Sequence, residues 1–136
     1  MYLSIRTLGD KMETNEKKVL VIDDSGDDII LAKKILEKHG MTVLGAYNWM
    51  EALECLEHED IDVVLLDLSM PSMNGFDLLK IIRKQSNCIE LPVIIYTSSS
   101  SFDANDCAAR GSSAYIKKYG DPKVLVNKID EILEVA

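Results

Sequence analysis

Only three cysteines occur in the 136-residue sequence, Cys55, Cys88 and Cys107. Their odd number, wide separation and lack of any CxxC spacing exclude a disulfide framework and a zinc site. They read instead as buried thiols in a reducing compartment. Long apolar runs are missing as well. None approaches the ~18 residues of a membrane span, and Arg6 and Asp10 interrupt "MYLSIRTLGDKM" before it forms the core of a secretory signal. A cytoplasmic protein without membrane insertion is expected. Basic clusters are equally scarce: the formal net charge is −8, and no dense group of Lys or Arg is present to follow phosphates. Direct binding of nucleic acid is therefore not expected. The two histidines, His39 and His58, fall near the ends of helical stretches, where positive charge is mildly favoured. Both read as surface residues rather than phosphodonors.

What is present fits a single domain, with 47% hydrophobic residues to build its core. Residues 1–16 are polar with scattered apolar side chains. They are expected to be an N-terminal extension, disordered or a short helix, with Met12 resembling an alternative start. From Lys17 the chain alternates five times between short apolar runs and amphipathic stretches. The runs "VLVI" (19–22), "VVLL" (63–66) and "VIIY" (93–96) are continuous and rich in β-branched residues, as strands covered on both faces of a parallel sheet must be. "MTVLGAY" and "SAYIK" are weaker and suit sheet edges. Trp49, Ala52, Leu53 and Leu56 form one helical stripe, and Leu125, Ile129, Ile132 and Leu133 another. Gly40 closes the first helix, Asn48 and Glu51 resemble a capping box, and Asp121 followed by Pro122 opens the last helix. The order predicts an α/β fold: (βα)5, a doubly wound parallel five-stranded sheet of flavodoxin-like order 2-1-3-4-5 in three αβα layers.

In such folds ligands collect beyond the carboxyl ends of the strands, at the crevice between strands 1 and 3. Strand 1 ends on Asp23 and Asp24, strand 3 on Asp67, strand 4 on Thr97, and strand 5 on Lys117 and Lys118. Each has an ordinary explanation as a cap, a strand end or a solvated charge. All of them beside one crevice is harder to reach by chance. Clustered carboxylates repel unless a cation lies between them, and an oxygen-only ligand set without His or Cys selects Mg²⁺, with Mn²⁺ as a substitute. One carboxylate can then serve as nucleophile toward a phosphoryl group. Asp67 is favoured, because it precedes the flexible loop "LSMPSMNG", whose Pro71 and Gly75 turn the chain into the next helix.

The segments "VLVIDDS", "VVLLDLSMPSMNG", "VIIYTSS" and "GSSAYIKK", in this order, closely resemble the response regulator receiver domain of two-component signalling, over nearly all of residues 17–136. The resemblance implies a chemotaxis-regulator-like fold and a stand-alone regulator. It implies Asp67 as phosphoacceptor, Asp23 and Asp24 as Mg²⁺ ligands, and the Ser69 backbone carbonyl as a further ligand. Thr97 matches the switch hydroxyl, Tyr115 the switch aromatic, and Lys118 the phosphate-binding amine, leaving Lys117 as its neighbour. Ser69 and Ser99 match positions that influence phosphoryl lifetime. The donor would be a sensor histidine kinase or a histidine phosphotransfer protein, and the output a protein contact through the fourth helix, fifth strand and fifth helix. Phosphorylation is expected to draw Thr97 and Lys118 inward and to turn Tyr115 in after them. The only catalysis expected is the protein's own phosphotransfer and autodephosphorylation. One departure stands out: Tyr119 follows Lys118 where the family usually has proline, so a trans peptide and a reshaped loop are expected. Rival readings are an aspartate-nucleophile phosphatase, a flavodoxin and a degenerate receiver used only for docking. The phosphatase wants an acid where Ser69 stands, and "DDSGDD" would repel a flavin phosphate.

Overall fold

Alternation hidden inside the continuous apolar runs decides how the sheet is buried. The computed structural model describes residues 16–71 and 73–135, so nearly all of the expected N-terminal extension lies outside the described residues. The chain runs through β1 (Lys18–Ile22), α1 (Gly26–Glu37), β2 (Thr42–Ala46), α2 (Trp49–His58), β3 (Val63–Leu66), β4 (Ser69–Met70) and β5 (Met73–Asn74). It continues through α3 (Gly75–Lys84), β6 (Val93–Thr97), α4 (Ala104–Ala109), β7 (Ala114–Lys117) and α5 (Pro122–Val135). Val19 and Val21 of β1, Val63 and Leu65 of β3, and Ile94 and Tyr96 of β6 pack with Ile29, Ala32 and Leu36 of α1 and Leu125, Val126 and Ile129 of α5. The intervening residues Leu20, Ile22, Val64, Leu66, Val93 and Ile95 pack with Ala52 and Leu56 of α2, Leu78, Leu79 and Ile82 of α3, and Cys107 of α4. A period of two thus feeds two cores, which is why no polar residue interrupts these strands.

The five parallel strands stand in the order β2-β1-β3-β6-β7, which is the expected 2-1-3-4-5 counted within this sheet. The two weaker runs are its edges. Helix boundaries follow local chemistry. Met41 N–H bonds the Leu36 carbonyl and Gly40 N–H the Glu37 carbonyl, with Gly40 at φ +82°, so glycine absorbs the left-handed turn that ends α1. Asn48 accepts from Glu51 N–H, but the Glu51 carboxylate returns to Tyr47 N–H rather than to Asn48, so the box spans one residue more than expected. A complete capping box holds α4 instead, through Asp103 and Asp106. Asp121 accepts from Lys123 N–H at the start of α5, with Pro122 in the first helical position.

Two differences from the sequence reading bear on function. The stretch after Asp67 is not a plain flexible loop, because β4 and β5 pair antiparallel, Ser69 with Asn74 and Met70 with Met73. Burial of Met70 in the core anchors this ribbon. Gly75, in turn, serves close approach rather than a turn: a Cβ there would stand 2.7 Å from Leu68 Cα and 2.9 Å from the Asp67 carbonyl oxygen. Cys88 and Cys107 are buried as expected, whereas Cys55 is only half-buried; all three thiols are free, and burial pushes their pKa values up. His39 and His58 are exposed.

Candidate functional site

Register builds the site. Ile22 of β1 lies opposite Leu66 of β3, so the next residues, Asp23 and Asp67, leave the sheet side by side. Their backbones stay tied to the neighbouring strands, Asp23 N–H to the Ala46 carbonyl and Asp67 N–H to the Ile22 carbonyl, both at 3.0 Å. Across β6, Thr97 pairs with Lys117, and Lys118 N–H bonds the Thr97 carbonyl. Strand alternation then separates the two lysines. Lys117 is exposed and its amine bonds Ser100 Oγ, whereas Lys118 is buried and its amine turns into the crevice.

Asp23, Asp67, Thr97 and Lys118 are the buried polar side chains among the described residues. Lys118 Nζ donates to Asp23 Oδ2, to Asp28 Oδ2 at 2.9 Å and to Asp67 Oδ2 at 3.4 Å. Asp67 Oδ1 accepts from Ser69 N–H at 3.2 Å, and Asp23 Oδ1 from Ser25 N–H at 3.0 Å. The Thr97 hydroxyl accepts from Ser99 N–H, which fixes the start of the loop after β6. Tyr115 is half-buried against the core, and its hydroxyl donates to the Ser99 carbonyl at 3.0 Å. In this geometry the ring lies inward, against the core.

One ammonium faces three carboxylates here, Asp23, Asp28 and Asp67, with Asp24 beside them, and the electrostatics follow from that imbalance. Burial raises the Asp23 pKa, and its bond to Lys118 only partly offsets this. For Lys118, burial favours the neutral amine, but its hydrogen bonds to Asp23 and Asp28 and the field of Asp67 outweigh it and hold the ammonium well above its ordinary pKa. Burial also works against the Asp28 anion, yet bonds from Lys118 and Tyr119 outweigh it and lower that pKa. The cluster still holds surplus negative charge. Asp23, Asp24 and Asp67 each offer an oxygen, all within 4.8 Å of one another, with Asp24 open to solvent. That spread and an all-oxygen donor set fit a small divalent cation.

The structure adds two residues that the sequence reading did not place in the site, Asp28 and Tyr119. The Lys118–Tyr119 peptide is trans, as expected, since no cis peptide occurs among the described residues. The reshaped loop puts Tyr119 at φ +67°, with its hydroxyl on Asp28. The doubled acid of "DDSGDD" was the available signal for Asp28, because the first turn of α1 faces back toward the strand ends.

The comparisons agree with this geometry. The family model described as response regulator receiver domain matches residues 19–130. Protein PilH of Pseudomonas aeruginosa is 32% identical over 117 residues, covering 85% of this chain and 97% of PilH. The response regulator SaeR of Staphylococcus aureus is 30% identical over 116 residues, and this chain spans half of its length. Among solved structures, the Francisella response regulator 1452 receiver domain superposes with a TM-score of 0.78 at 31% identity, covering 88% of this chain and 98% of that one. The chemotaxis response regulator CheY4 of Vibrio cholerae gives 0.78 at 28% identity, covering 87% and 99%. Fold, strand-end acids and sequence match converge, and the chain belongs to the response regulator receiver domain family.

Proposed function

We propose that Asp67 is the phosphoacceptor through which this receiver domain works in phosphorelay signal transduction. The observation that carries the reading is the buried Asp67 carboxylate, set beside Asp23 and Asp24 and bonded to the Lys118 ammonium. A histidine kinase or histidine phosphotransfer protein supplies a phosphohistidine. An Asp67 oxygen attacks phosphorus, the P–N bond breaks, and its electron pair returns to the imidazole, which takes up a proton. The product is an acyl phosphate on Asp67.

Asp23, Asp24, Asp67 and the Ser69 carbonyl would hold Mg²⁺, or Mn²⁺ in its place. When bound, the ion neutralises charge on the phosphoryl oxygens. The chain's own contribution is position. Lys118 is held protonated within reach of Asp67, so it shields the entering group without prior proton transfer. Thr97 sits at the end of β6 beside the acceptor strand and shares Ser99 with Tyr115, since Ser99 N–H bonds Thr97 and the Ser99 carbonyl accepts from Tyr115. A shift of Thr97 toward a phosphoryl oxygen therefore pulls on Tyr115 through one residue. That couples Asp67 to the face made by α4, β7 and α5, where the downstream protein would dock. Three free cysteines suit a reducing cytoplasm, and the surplus of acids argues against direct contact with nucleic acid.

Acetyl phosphate with Mg²⁺ tests the proposal by intact mass. A phosphoryl adduct on the wild type, lost in Asp67→Asn and without metal, is the expected result. Sustained turnover of phosphate esters would favour a phosphatase, and no adduct a docking module.

A further inference from the structure

Asp28 lies in the first turn of α1, and its Oδ2 accepts from Lys118 Nζ at 2.9 Å. The Tyr119 hydroxyl meets its two oxygens at 2.9 and 2.8 Å. A phenol carries one proton, so this is one bond shared between two acceptors. Tyr119 reaches it from left-handed backbone, which L-residues rarely adopt, and with a side chain 64% exposed. Neither burial nor backbone preference accounts for the pose. The hydroxyl–carboxylate bond does.

We propose that Asp28 is a positioning residue that competes with the phosphoryl group on Asp67 for the Lys118 ammonium, and that Tyr119 weakens this competition by giving Asp28 a second donor. The inference rests on Asp67 being the acceptor. An ammonium has three N–H donors, and here they face Asp23, Asp28 and Asp67, with Asp67 the farthest. A phosphoryl group brings three strong acceptor oxygens and about −1.5 to −2 charges. The donor that faces Asp67 can serve one of them, and a second such bond obliges Lys118 to release Asp23 or Asp28. Asp28 is the one best able to lose it. Its side chain is 17% exposed, against 3% for Asp23 and 6% for Asp67, so water reaches it. Tyr119 remains bonded to it when the amine leaves. Asp23 keeps only a backbone donor, Ser25 N–H, on its other oxygen.

Isothermal titration of the full chain with beryllium fluoride, a non-covalent mimic of the phosphoryl group, at saturating Mg²⁺ tests this. Asp28→Asn is expected to bind about fivefold tighter, the equivalent of ~1 kcal/mol for an incompletely buried ion pair. Tyr119→Phe is expected to bind about twofold weaker, because Asp28 then leans harder on Lys118. The double variant should behave as Asp28→Asn alone, since Tyr119 acts only through Asp28. A purely structural role would weaken binding in both single variants, and that result, or unchanged affinity in both, overturns the proposal. Wild-type affinity no higher than that of Asp67→Asn would instead overturn the reading of Asp67 on which it stands.

Discussion

Replacing Lys118 with methionine keeps most of the side-chain volume and removes only the ammonium, which isolates what that charge does. Its side chain is 4% exposed, and it is the cation bonded to Asp23 and Asp67, themselves nearly buried. Removing one member of a buried ion pair costs about 3–5 kcal/mol, because the other charge is stranded in a poorly solvated place. Solvent access at Asp24 and Asp28 lets water relieve part of this, so about 3 kcal/mol is expected in metal-free buffer at neutral pH. By the usual scaling for a domain of this size, the thermal midpoint falls by about 10–15 °C. Two further features follow from the electrostatics. Added Mg²⁺ should stabilise the variant more than the wild type, since it replaces the missing cation, and ~2.7 kcal/mol is available at a hundredfold excess over Kd. The deficit should also shrink on acidification. Asp23 has a folded-state pKa raised above its unfolded one, so the stability it contributes is complete below the ordinary carboxylate range and is lost as pH rises through the folded value. Without Lys118 to pull it down, the Asp23 pKa rises further, so the penalty is largest at neutral pH. Urea melts of both proteins from pH 4 to 8, with and without Mg²⁺, measure all three effects. Equal stability in metal-free buffer at pH 7, or a larger Mg²⁺ effect on the wild type, would refute the reasoning.

Gly75→Ala places a methyl group against the backbone of Leu68 and Asp67. It should cost about 1–3 kcal/mol and slow phosphorylation by acetyl phosphate, both absent if the contact relaxes freely. Asp103→Ala removes a cap bonded in both directions and should cost about 1 kcal/mol in denaturant melts, with amide exchange in α4 rising first. Arg83 donates to the carbonyls of Cys88, Leu91 and Gly111, so Arg83→Met should lose about 2–3 kcal/mol. Arg83→Lys should recover little, because an ammonium cannot reproduce the guanidinium fork. Tyr115→Phe should leave acetyl phosphate reactivity unchanged while loosening the loop after β6, seen as faster amide exchange at Ser99.

Residues that act through position along a strand were legible, and those that act through contacts between distant segments were not. Asp23, Asp67, Thr97 and Lys118 each end an apolar run or follow its end, and a parallel sheet in register brings such ends to one edge whatever the side chains do next. The partnership of Tyr119 with Asp28 spans 91 residues and depends on a positive φ that no sequence pattern announces at tyrosine. Lys117 and Lys118 could not be told apart by type alone. The resemblance pointed to Lys118, and strand alternation in the structure set the two apart.

Amphipathic period, strand-end chemistry and capping residues by themselves determined the alternation of five strands with five helices, the two-sided burial and the acids at the strand ends, because each depends on neighbours within a few positions. Only the tertiary structure decided the strand order, the pairing of β4 with β5 after Asp67, the close backbone approach at Gly75 and the bond from Tyr115 to the Ser99 carbonyl. It alone set Lys118 among Asp23, Asp28 and Asp67. The reason is that hydrogen bonds and contact distances between remote segments depend on how the packed layers come to rest, and a linear pattern carries no record of those distances.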